Sequence, residues 1–417
     1  MASPYGTSST PAIGLAVNIQ SGVLLKPLIR TVMASHRSPD SGAGRQDGEN
    51  RMKKLIVAAA LAVSCAGPAL AQSQPTPDLV KPGQDFRTRL ILLGTAGGPT
   101  WYGPGSPYGI SSAVVVDGHA YIVDFGSGAF RQLRAAGIKP GAEKALFLTH
   151  LHSDHLIDLA TLLLYDPSAR RRAKASLQIF GPGPRGALPP LAKNVSEDVV
   201  INRSNPMPGT RATVDALVGA FASDLNIRVR HEGLPDVRSF FEAHDIRLPE
   251  SVSIDANAGD WPRMEPFEVW KDERVRVTAT IVSHGLVFPN FAYRFETSDG
   301  SIVFSGDTAV SQNLIQLATG ADVLVHEAID PTWIAEIVGA KPWNARQEAL
   351  AHQLQHTHVT PEEAGAVAAK AGVKTLVLSH LVPGNTPRER WQAAGNTFKG
   401  RLIVGADMNV IGVGRPR

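Results

Sequence analysis

Three histidines and one aspartate stand close together in the segment Thr149-His150-Leu151-His152-Ser153-Asp154-His155. Neutral imidazole nitrogens and carboxylate oxygens are ligands that suit zinc and related divalent metals. In an extended segment the side chains of His150 and His152 point the same way, so both can hold one ion. Asp154 and His155 lie beyond the turn and can reach a second ion. The density of ligands directly after a strand disfavours the alternative of a polar loop with chance histidines.

This segment resembles the motif His-x-His-x-Asp-His, the hallmark of the metallo-β-lactamase superfamily. Three later segments resemble the remaining motifs of that superfamily in the expected order: Ser283-His284-Gly285, Ser305-Gly306-Asp307-Thr308 and Ser379-His380. A lone histidine after a strand is more often structural, but the order of these segments behind the first motif supports them. The resemblance covers roughly residues 89–410 and implies an α/β fold, the four-layer αββα sandwich of the superfamily.

The resemblance implies two zinc ions, with manganese or iron as alternatives because His/Asp sites accept several metals. One ion would be held by His150, His152 and His284, and the other by Asp154, His155 and His380, with Asp307 as the bridge. Composition agrees with this ligand chemistry. The chain has a single cysteine, Cys65, so any metal must be held by His, Asp and Glu.

Further segments resemble the ribonuclease Z-like branch of the superfamily: Leu93–Pro99 (LGTAGGP), His326-Glu327-Ala328 and His358-Val359-Thr360. Dedicated β-lactamases of this fold lack the bridging aspartate that the resemblance assigns to Asp307. In the ribonuclease Z-like branch the histidine of the His-x-Thr motif lies near the leaving group, so His358 is the candidate for protonating the leaving oxygen. Glu327 either orients a histidine or has a structural role. Asp154 and His358 are the candidate catalytic residues.

The chain differs from the transfer-RNA-processing members of the branch in one respect. Those proteins carry a long arm between the third histidine and the bridging aspartate. Only 23 positions separate His284 from Asp307, which leaves no room for such an arm. The net charge of +3 is nearly balanced, and no basic stripe with interleaved aromatic residues is present. We therefore expect a small-molecule substrate and no nucleic acid partner. The chain fits the secreted arylsulfatase-like enzymes and cyclic-nucleotide phosphodiesterases of the branch better than its transfer-RNA-processing members.

The resemblance implies a dinuclear zinc hydrolase in which a metal-bridging hydroxide attacks a phosphodiester or an aryl sulfate ester. The alternatives are a lactonase or β-lactamase-like hydrolase of cyclic esters or amides, and a hydrolytic dehalogenase of aromatic compounds on the same scaffold. A non-catalytic binding protein would need a lost ligand, yet every expected ligand position is filled. The remaining histidines that we considered are expected to have no catalytic role: His119, His231, His244, His352 and His356.

Short apolar runs that end in turn residues precede the motifs and predict the strands that position them. Such runs include Leu90–Leu93, Ala145–Leu148, Val275–Ser283, Ile302–Ser305 and Thr375–Leu378. Helical spacing at Phe130–Ala136, Leu156–Tyr165 and Pro361–Ala371 predicts helices between them. The pattern favours a mixed α/β sandwich with the ligands in loops at strand ends.

The stretch 185–270 is less regular and is predicted to be an insert within the hydrolase domain, residues 89–415. Four aromatic residues lie in it: Phe240, Phe241, Trp261 and Trp270. We expect them in local core, or, if the insert caps the metal site, as an apolar wall for an aromatic leaving group.

The N-terminal region has the features of a secretory signal peptide at residues 52–71. Two lysines follow Met52, an apolar run of 11 residues follows these, and Ala69-Leu70-Ala71 offers a cleavage site. Residues 1–51 are then a non-native or disordered extension, and 72–88 a linker. We expect a periplasmic or secreted protein without stable membrane insertion after cleavage, and a homodimer is compatible with the branch. A lipoprotein anchored through Cys65 is less favoured, because no leucine stands three positions before it.

Overall fold

Two seven-stranded β-sheets pack face to face in the part of the chain that the computed structural model describes, residues 79–81, 83–165, 176–191, 199–259 and 261–417. The predicted N-terminal extension (1–51), the signal peptide (52–71) and part of the linker (72–88) lie outside the described residues. No helix in the described ranges is long and apolar enough to cross a bilayer.

The first sheet has the strand order β14-β1-β2-β3-β4-β5-β6. Its strands are β1 (Phe86–Gly94), β2 (Ser111–Val116), β3 (His119–Val123), β4 (Glu143–Phe147), β5 (Leu177–Pro182), β6 (Phe241–Ile246) and β14 (Val410–Pro416). Neighbours from β14 to β3 pair antiparallel, and neighbours from β3 to β6 pair parallel. Strand β2 is buried along its whole length and rich in valine, as expected for a strand covered on both faces.

The second sheet has the order β13-β12-β11-β10-β9-β8-β7. Its strands are β7 (Phe267–Lys271), β8 (Arg276–Ile281), β9 (Phe291–Thr297), β10 (Gly300–Phe304), β11 (Val323–Ile329), β12 (Thr375–Val382) and β13 (Arg401–Val404). Neighbours from β7 to β10 pair antiparallel, and those from β10 to β13 pair parallel. Both sheets are therefore mixed.

Helices cover the outer faces of the sheets. The helices are α1 (Ala129–Ala135), α2 (Leu159–Leu164), α3 (Thr210–Ala220), α4 (Ala222–Arg230), α5 (Gln312–Leu317), α6 (Pro331–Val338), α7 (Ala345–Thr357), α8 (Pro361–Ala371) and α9 (Arg388–Trp391). Residues of α1, α2 and α3 form one apolar cluster with the first sheet, and residues of α5 and α8 form another with the second. A third cluster fills the space between the sheets. The expected αββα sandwich is confirmed.

The helix Pro361–Ala371 has the bounds that its sequence predicts, because its ends are encoded locally. Thr360 and Glu363 form a reciprocal capping box, Pro361 occupies the first turn, and Gly372 ends the helix with a left-handed φ of 65°. The stretch 185–270 is more regular than its sequence indicates. It supplies α3 and α4 and one edge strand of each sheet, β6 in the first and β7 in the second.

Candidate metal centre

Two strand-end loops, one from each sheet, bring three histidines together. His150 and His152 follow β4 of the first sheet, and His284 follows β8 of the second. One nitrogen atom from each of the three rings lies within 4.8 Å of the other two. The ring centroid of His284 is 5.2 Å from those of both His150 and His152. The three side chains that the sequence assigns to one ion therefore converge.

Asp154, His155 and His380 form a second group that also spans both sheets. Asp154 Oδ2 lies 3.3 Å from His380 Nε2 and 3.5 Å from His155 Nε2. Asp154 and His155 belong to a short 3₁₀ turn, Ser153–His155, and His380 lies on β12. His380 has a left-handed φ of 56°, a conformation that non-glycine residues adopt rarely and that recurs at functional sites.

Asp307, in the loop after β10, lies between the two groups. Its Oδ1 atom is 3.3 Å from His380 Nε2 and 3.5 Å from His155 Nε2. Its Oδ2 atom is 3.8 Å from His284 Nε2, on the side of the other group. One carboxylate thus faces both sets of imidazoles, which is the arrangement that a bridging ligand requires.

The chemistry of these buried atoms fits a divalent cation. His150 Nε2, His155 Nε2 and Asp307 Oδ1 are buried without a hydrogen-bond partner of good geometry, which is costly unless another charge or ligand satisfies them. Burial holds the pKa of His150 well below its ordinary value and lowers that of His284 to about 3, so both rings stay neutral, as ligands must. Burial also acts to lower the pKa of His155, but the surrounding carboxylates, Asp124 first, raise it well above its ordinary value. The same negative charge attracts a metal ion.

Asp124 orients His155, although it belongs to none of the sequence motifs. Asp124 follows β3, and its Oδ2 atom lies 2.9 Å from His155 Nδ1. Its Oδ1 atom accepts a hydrogen bond of 2.8 Å from the Thr149 backbone N–H. With Nδ1 engaged in this way, Nε2 of His155 faces the second group. The position of Asp124 at the end of a strand beside the histidine segment was the only available signal.

Backbone groups fix two further side chains of the site. His284 Nδ1 lies 2.8 Å from the Thr357 carbonyl oxygen, so its Nε2 is left for a metal. The Gly98 backbone N–H donates to Asp154 Oδ2 over 2.9 Å. The glycine-rich segment between β1 and β2 is therefore part of the site. A side chain at Gly97 would overlap the imidazole of His380, so the close approach of this segment requires glycine.

His358 lies at the edge of the two groups and is paired with Glu327. Its Nδ1 atom is 3.0 Å from Glu327 Oε1, which also accepts a hydrogen bond of 2.9 Å from the Thr308 backbone N–H. The His358 ring is 4.9 Å from the ring of His284. Burial lowers the pKa of His358, but the Glu327 carboxylate outweighs it and raises the pKa to about 9. The ring is therefore protonated near neutral pH, as the proposed proton donor must be.

The five histidines that are expected to have no catalytic role stand apart from the two groups. His119 contacts the Asp117 carbonyl oxygen in the β2–β3 turn, and His231 is the C-cap residue of α4. His244 stacks on Phe180 with a centroid distance of 4.7 Å. His352 and His356 are exposed on α7 and do not join the clusters of potential ligands found among the described residues.

A cavity of about 1210 Å³, called the apolar cavity below, adjoins the site. It is lined by His152 and His284 together with Leu156, Ile157, Arg185, Leu286–Pro289, several prolines and part of α7. The four aromatic residues of 185–270 do not line it. Trp261 and Trp270 pack with the core between the sheets, and Phe240 is buried. The expectation of local core is therefore correct for these residues, and the conditional expectation of an aromatic wall is wrong.

Comparison with known families adds to this geometry. A family model described as "Beta-lactamase superfamily domain" matches residues 235–381. The ribonuclease Z of Mycobacterium sp. (strain KMS) is 32% identical over 323 residues, which cover 75% of this chain and 95% of that protein. The ribonuclease Z of Mycobacterium bovis (strain BCG / Pasteur 1173P2) is 30% identical over 325 residues, or 75% of this chain and 97% of that protein.

Two solved structures are similar to this chain at low sequence identity. The metallo-β-lactamase fold protein YhfI from Bacillus subtilis is 16% identical, with a TM-score of 0.48 over 78% of this chain and 99% of that chain. The short form of human tRNase Z is 19% identical, with a TM-score of 0.48 over 78% of this chain and 99% of that chain.

The expectation of no nucleic acid partner is wrong. It rested on the short interval between His284 and Asp307 and on the balanced net charge. The similar curated proteins are ribonucleases by name, and they match this chain along nearly their whole length. The spacing of two motifs is therefore insufficient to exclude RNA, because other surfaces of a protein can bind it.

Proposed function

Because the chain belongs to the metallo-β-lactamase superfamily, in its ribonuclease Z-like branch, and is a metal-dependent hydrolase of ester bonds, we propose that it hydrolyses phosphodiesters with a pair of zinc ions. The family resemblance derived from the histidine motifs is confirmed by the curated relatives. Among the observations on this chain, the position of Asp307 between two groups of three ligands supports the paired ions most directly.

The proposed ligands follow the two groups of side chains. His150, His152 and His284 would hold one ion, and Asp154, His155 and His380 would hold the other, with Asp307 facing both groups. Zinc suits a site made of imidazole and carboxylate without thiolate, and manganese or iron are alternatives to be separated by metal analysis.

The protein side chains have distinct roles in the proposed reaction. When bound, the metal ions supply Lewis acidity and lower the pKa of water. A water molecule that has passed one proton to solvent forms a bond to phosphorus through its oxygen, while the bond from phosphorus to the leaving oxygen breaks. His358 gives its Nε2 proton to the leaving oxygen, because Nδ1 is engaged with Glu327. Glu327 orients His358 and stabilises its protonated form.

Phosphodiesters are the favoured substrate class because the curated relatives are named as ribonucleases, and RNA is therefore one candidate substrate. Small phosphodiesters are the other. Aryl sulfates, lactones, β-lactams and halogenated aromatics serve as comparison substrates, since the same centre could polarise their reacting bonds.

Metal removal and restoration test the proposal. The full chain is treated with a chelator, then reloaded with zinc, and assayed with bis(p-nitrophenyl) phosphate and with a precursor transfer RNA. Turnover should disappear and return, with two zinc ions per chain by elemental analysis. Asp307→Ala should abolish turnover, whereas Asp215→Ala, at an exposed position on α3, should retain it. A fully active protein with one metal per chain would contradict the paired ions.

Export remains a separate proposal. The features at residues 52–71 support a cleaved signal peptide. Cell fractionation followed by N-terminal sequencing tests this, with Gln72 as the expected first residue of a periplasmic or secreted form. A cytoplasmic protein that retains Met52 would contradict it.

A further inference from the structure

The apolar cavity continues directly from the candidate metal centre. His152 and His284, which belong to one group of ligands, also line the cavity. Cavities that bind small molecules commonly measure about 300–1,000 Å³. At about 1210 Å³ this cavity has room for much more than the ester group that reacts.

Much of the cavity surface cannot donate hydrogen bonds. Six prolines line it: Pro182, Pro189, Pro190, Pro206, Pro208 and Pro289. Proline has no backbone N–H, and its ring restricts the backbone, so this surface is both poor in donors and rigid. A rigid apolar surface loses little entropy when it binds an apolar group.

Large apolar side chains at the cavity are exposed to solvent. Ile157 is 60% exposed and Leu286 is 42% exposed, and both line the cavity. Grouped apolar side chains that remain exposed beside a site commonly mark a binding groove. Covering them with an apolar ligand would remove this surface from water.

Arg185 is the only arginine or lysine among the described residues that line the cavity, and its guanidinium is already engaged. It donates to the carbonyl oxygens of Leu286, Ala187 and Ala256 and to Asn257 Oδ1, at distances of 3.2, 2.6, 2.9 and 2.7 Å. With 6% exposure, Arg185 ties loops together and does not present a free charge. Among the described residues, the cavity therefore offers a large apolar surface without a free arginine or lysine charge.

We propose that the apolar cavity binds the non-leaving group of the substrate and that this group is an alkyl or aryl chain. This proposal rests on the proposed function, since the metal centre must hold the ester at the end of the cavity. His358, the proposed proton donor to the leaving oxygen, is not among the residues that line the cavity. The leaving group therefore lies on the His358 side, and the other ester group extends past His152 and His284.

A homologous series of substrates tests the proposal. Alkyl p-nitrophenyl phosphates from methyl to heptyl share one leaving group, so only the apolar chain varies. Burial of one methylene contributes about 0.8 kcal/mol, which is roughly fourfold in kcat/KM. With the zinc-loaded full chain we expect a rise of about two- to fourfold per methylene. Equal kcat/KM across the series would overturn the proposal.

Matched substitutions locate the effect in the cavity. Ile157→Ser and Leu286→Ser should each lower the heptyl-to-methyl ratio of kcat/KM at least about fivefold, since they replace apolar surface by a hydroxyl. Ile227→Ser is the control, because Ile227 is 56% exposed on α4 and does not line the cavity. Its ratio should equal that of the wild type. An unchanged ratio in both cavity variants would contradict the assignment.

A binding measurement separates this proposal from the proposed function. Fluorescence of anilinonaphthalene sulfonate with the metal-free full chain should increase and be competed by heptyl phosphate, and Ile157→Ser should weaken it. Probe binding without any turnover would uphold the cavity and refute the phosphodiesterase. Turnover with equal kcat/KM and no probe binding would uphold the phosphodiesterase and refute the cavity as a binding site.

Discussion

Asp124 Oδ2 lies 2.9 Å from His155 Nδ1, and this contact fixes which nitrogen of His155 faces the neighbouring ligands. Both side chains are buried, so solvent does not screen the contact. Asp124 also binds the Thr149 backbone N–H, which fixes the start of the histidine segment. The aspartate therefore acts on the metal centre without being part of either group of ligands.

Replacement of Asp124 should weaken metal binding while the fold is kept. Asp124→Asn retains an oxygen for the Thr149 N–H but loses the negative charge beside His155. Changes of this kind typically lower metal affinity about 10–100-fold. Competition with a chromophoric chelator measures the change. Asp117→Asn, at an exposed turn after β2, is the control and should bind metal as the wild type does. Equal affinity in both variants would show that the contact is only structural.

A methyl group at Gly97 should displace His380. The added Cβ would overlap the His380 ring, and errors of about 1 Å in a catalytic arrangement can cost 10²-fold in rate. Gly97→Ala should therefore lower kcat about 100-fold and lose part of the bound zinc. Gly219→Ala, in α3 where nothing lies within 4 Å of the new Cβ, should keep both kcat and zinc content. Full zinc content and full activity in Gly97→Ala would disprove this role of the segment.

The rate should fall at alkaline pH as His358 loses its proton. Its pKa is raised to about 9 because Glu327 outweighs burial, so the protonated donor is present below pH 9 and lost as the pH rises through it. Glu327→Gln removes the stabilising carboxylate and should move this decline to lower pH. The pH dependence of kcat, measured with a substrate that has an alkyl leaving group, shows where the rate declines. Identical pH profiles for the wild type and Glu327→Gln would contradict this role of the His358–Glu327 pair.

Dependence on the leaving group separates a proton donor from a structural histidine. His358→Ala should lower kcat about 10²–10⁴-fold for an alkoxide leaving group, which needs protonation. The loss should be much smaller for p-nitrophenolate, which leaves without a proton. Equal losses for both leaving groups would indicate that His358 only supports the structure.

Phe147 is central to the packing between the two sheets. Its ring lies 5.5 Å from those of Phe180 and Tyr293 and 5.3 Å from that of Phe295. Phe147→Ala should lower the free energy of unfolding by about 3–5 kcal/mol, measured by urea denaturation. Phe221→Ala, 45% exposed, should change it by only about 0.5 kcal/mol. A similar loss in the free energy of unfolding for both substitutions would contradict the central packing role of Phe147.

Local sequence determined the parts of this protein whose signals lie within a few residues. The helix Pro361–Ala371 carries its own capping box and stop signal, so its bounds were predictable. The strand before the histidine segment follows from an apolar run that ends in turn residues. The ligand types and their order along the chain also indicated a metal centre.

Other elements could not be predicted, because their stability depends on partners far away in the chain. Strands β6 and β7 in the stretch 185–270 are short and only partly buried, and each is held by pairing with one neighbouring strand. Helices α6 and α7 pack against each other through a small apolar cluster. Intrinsic propensity is weak beside such tertiary contacts.

By itself the sequence determined the chemistry of the ligands, because imidazole and carboxylate groups in this order suit few functions other than metal binding. Only the tertiary structure decided which atoms meet: that Asp124 orients His155, that Gly97 must be small beside His380, and that prolines and aliphatic side chains line the cavity. The physical reason is that hydrogen bonds and van der Waals contacts act over a few ångströms, while the residues that they join here lie up to hundreds of positions apart along the chain.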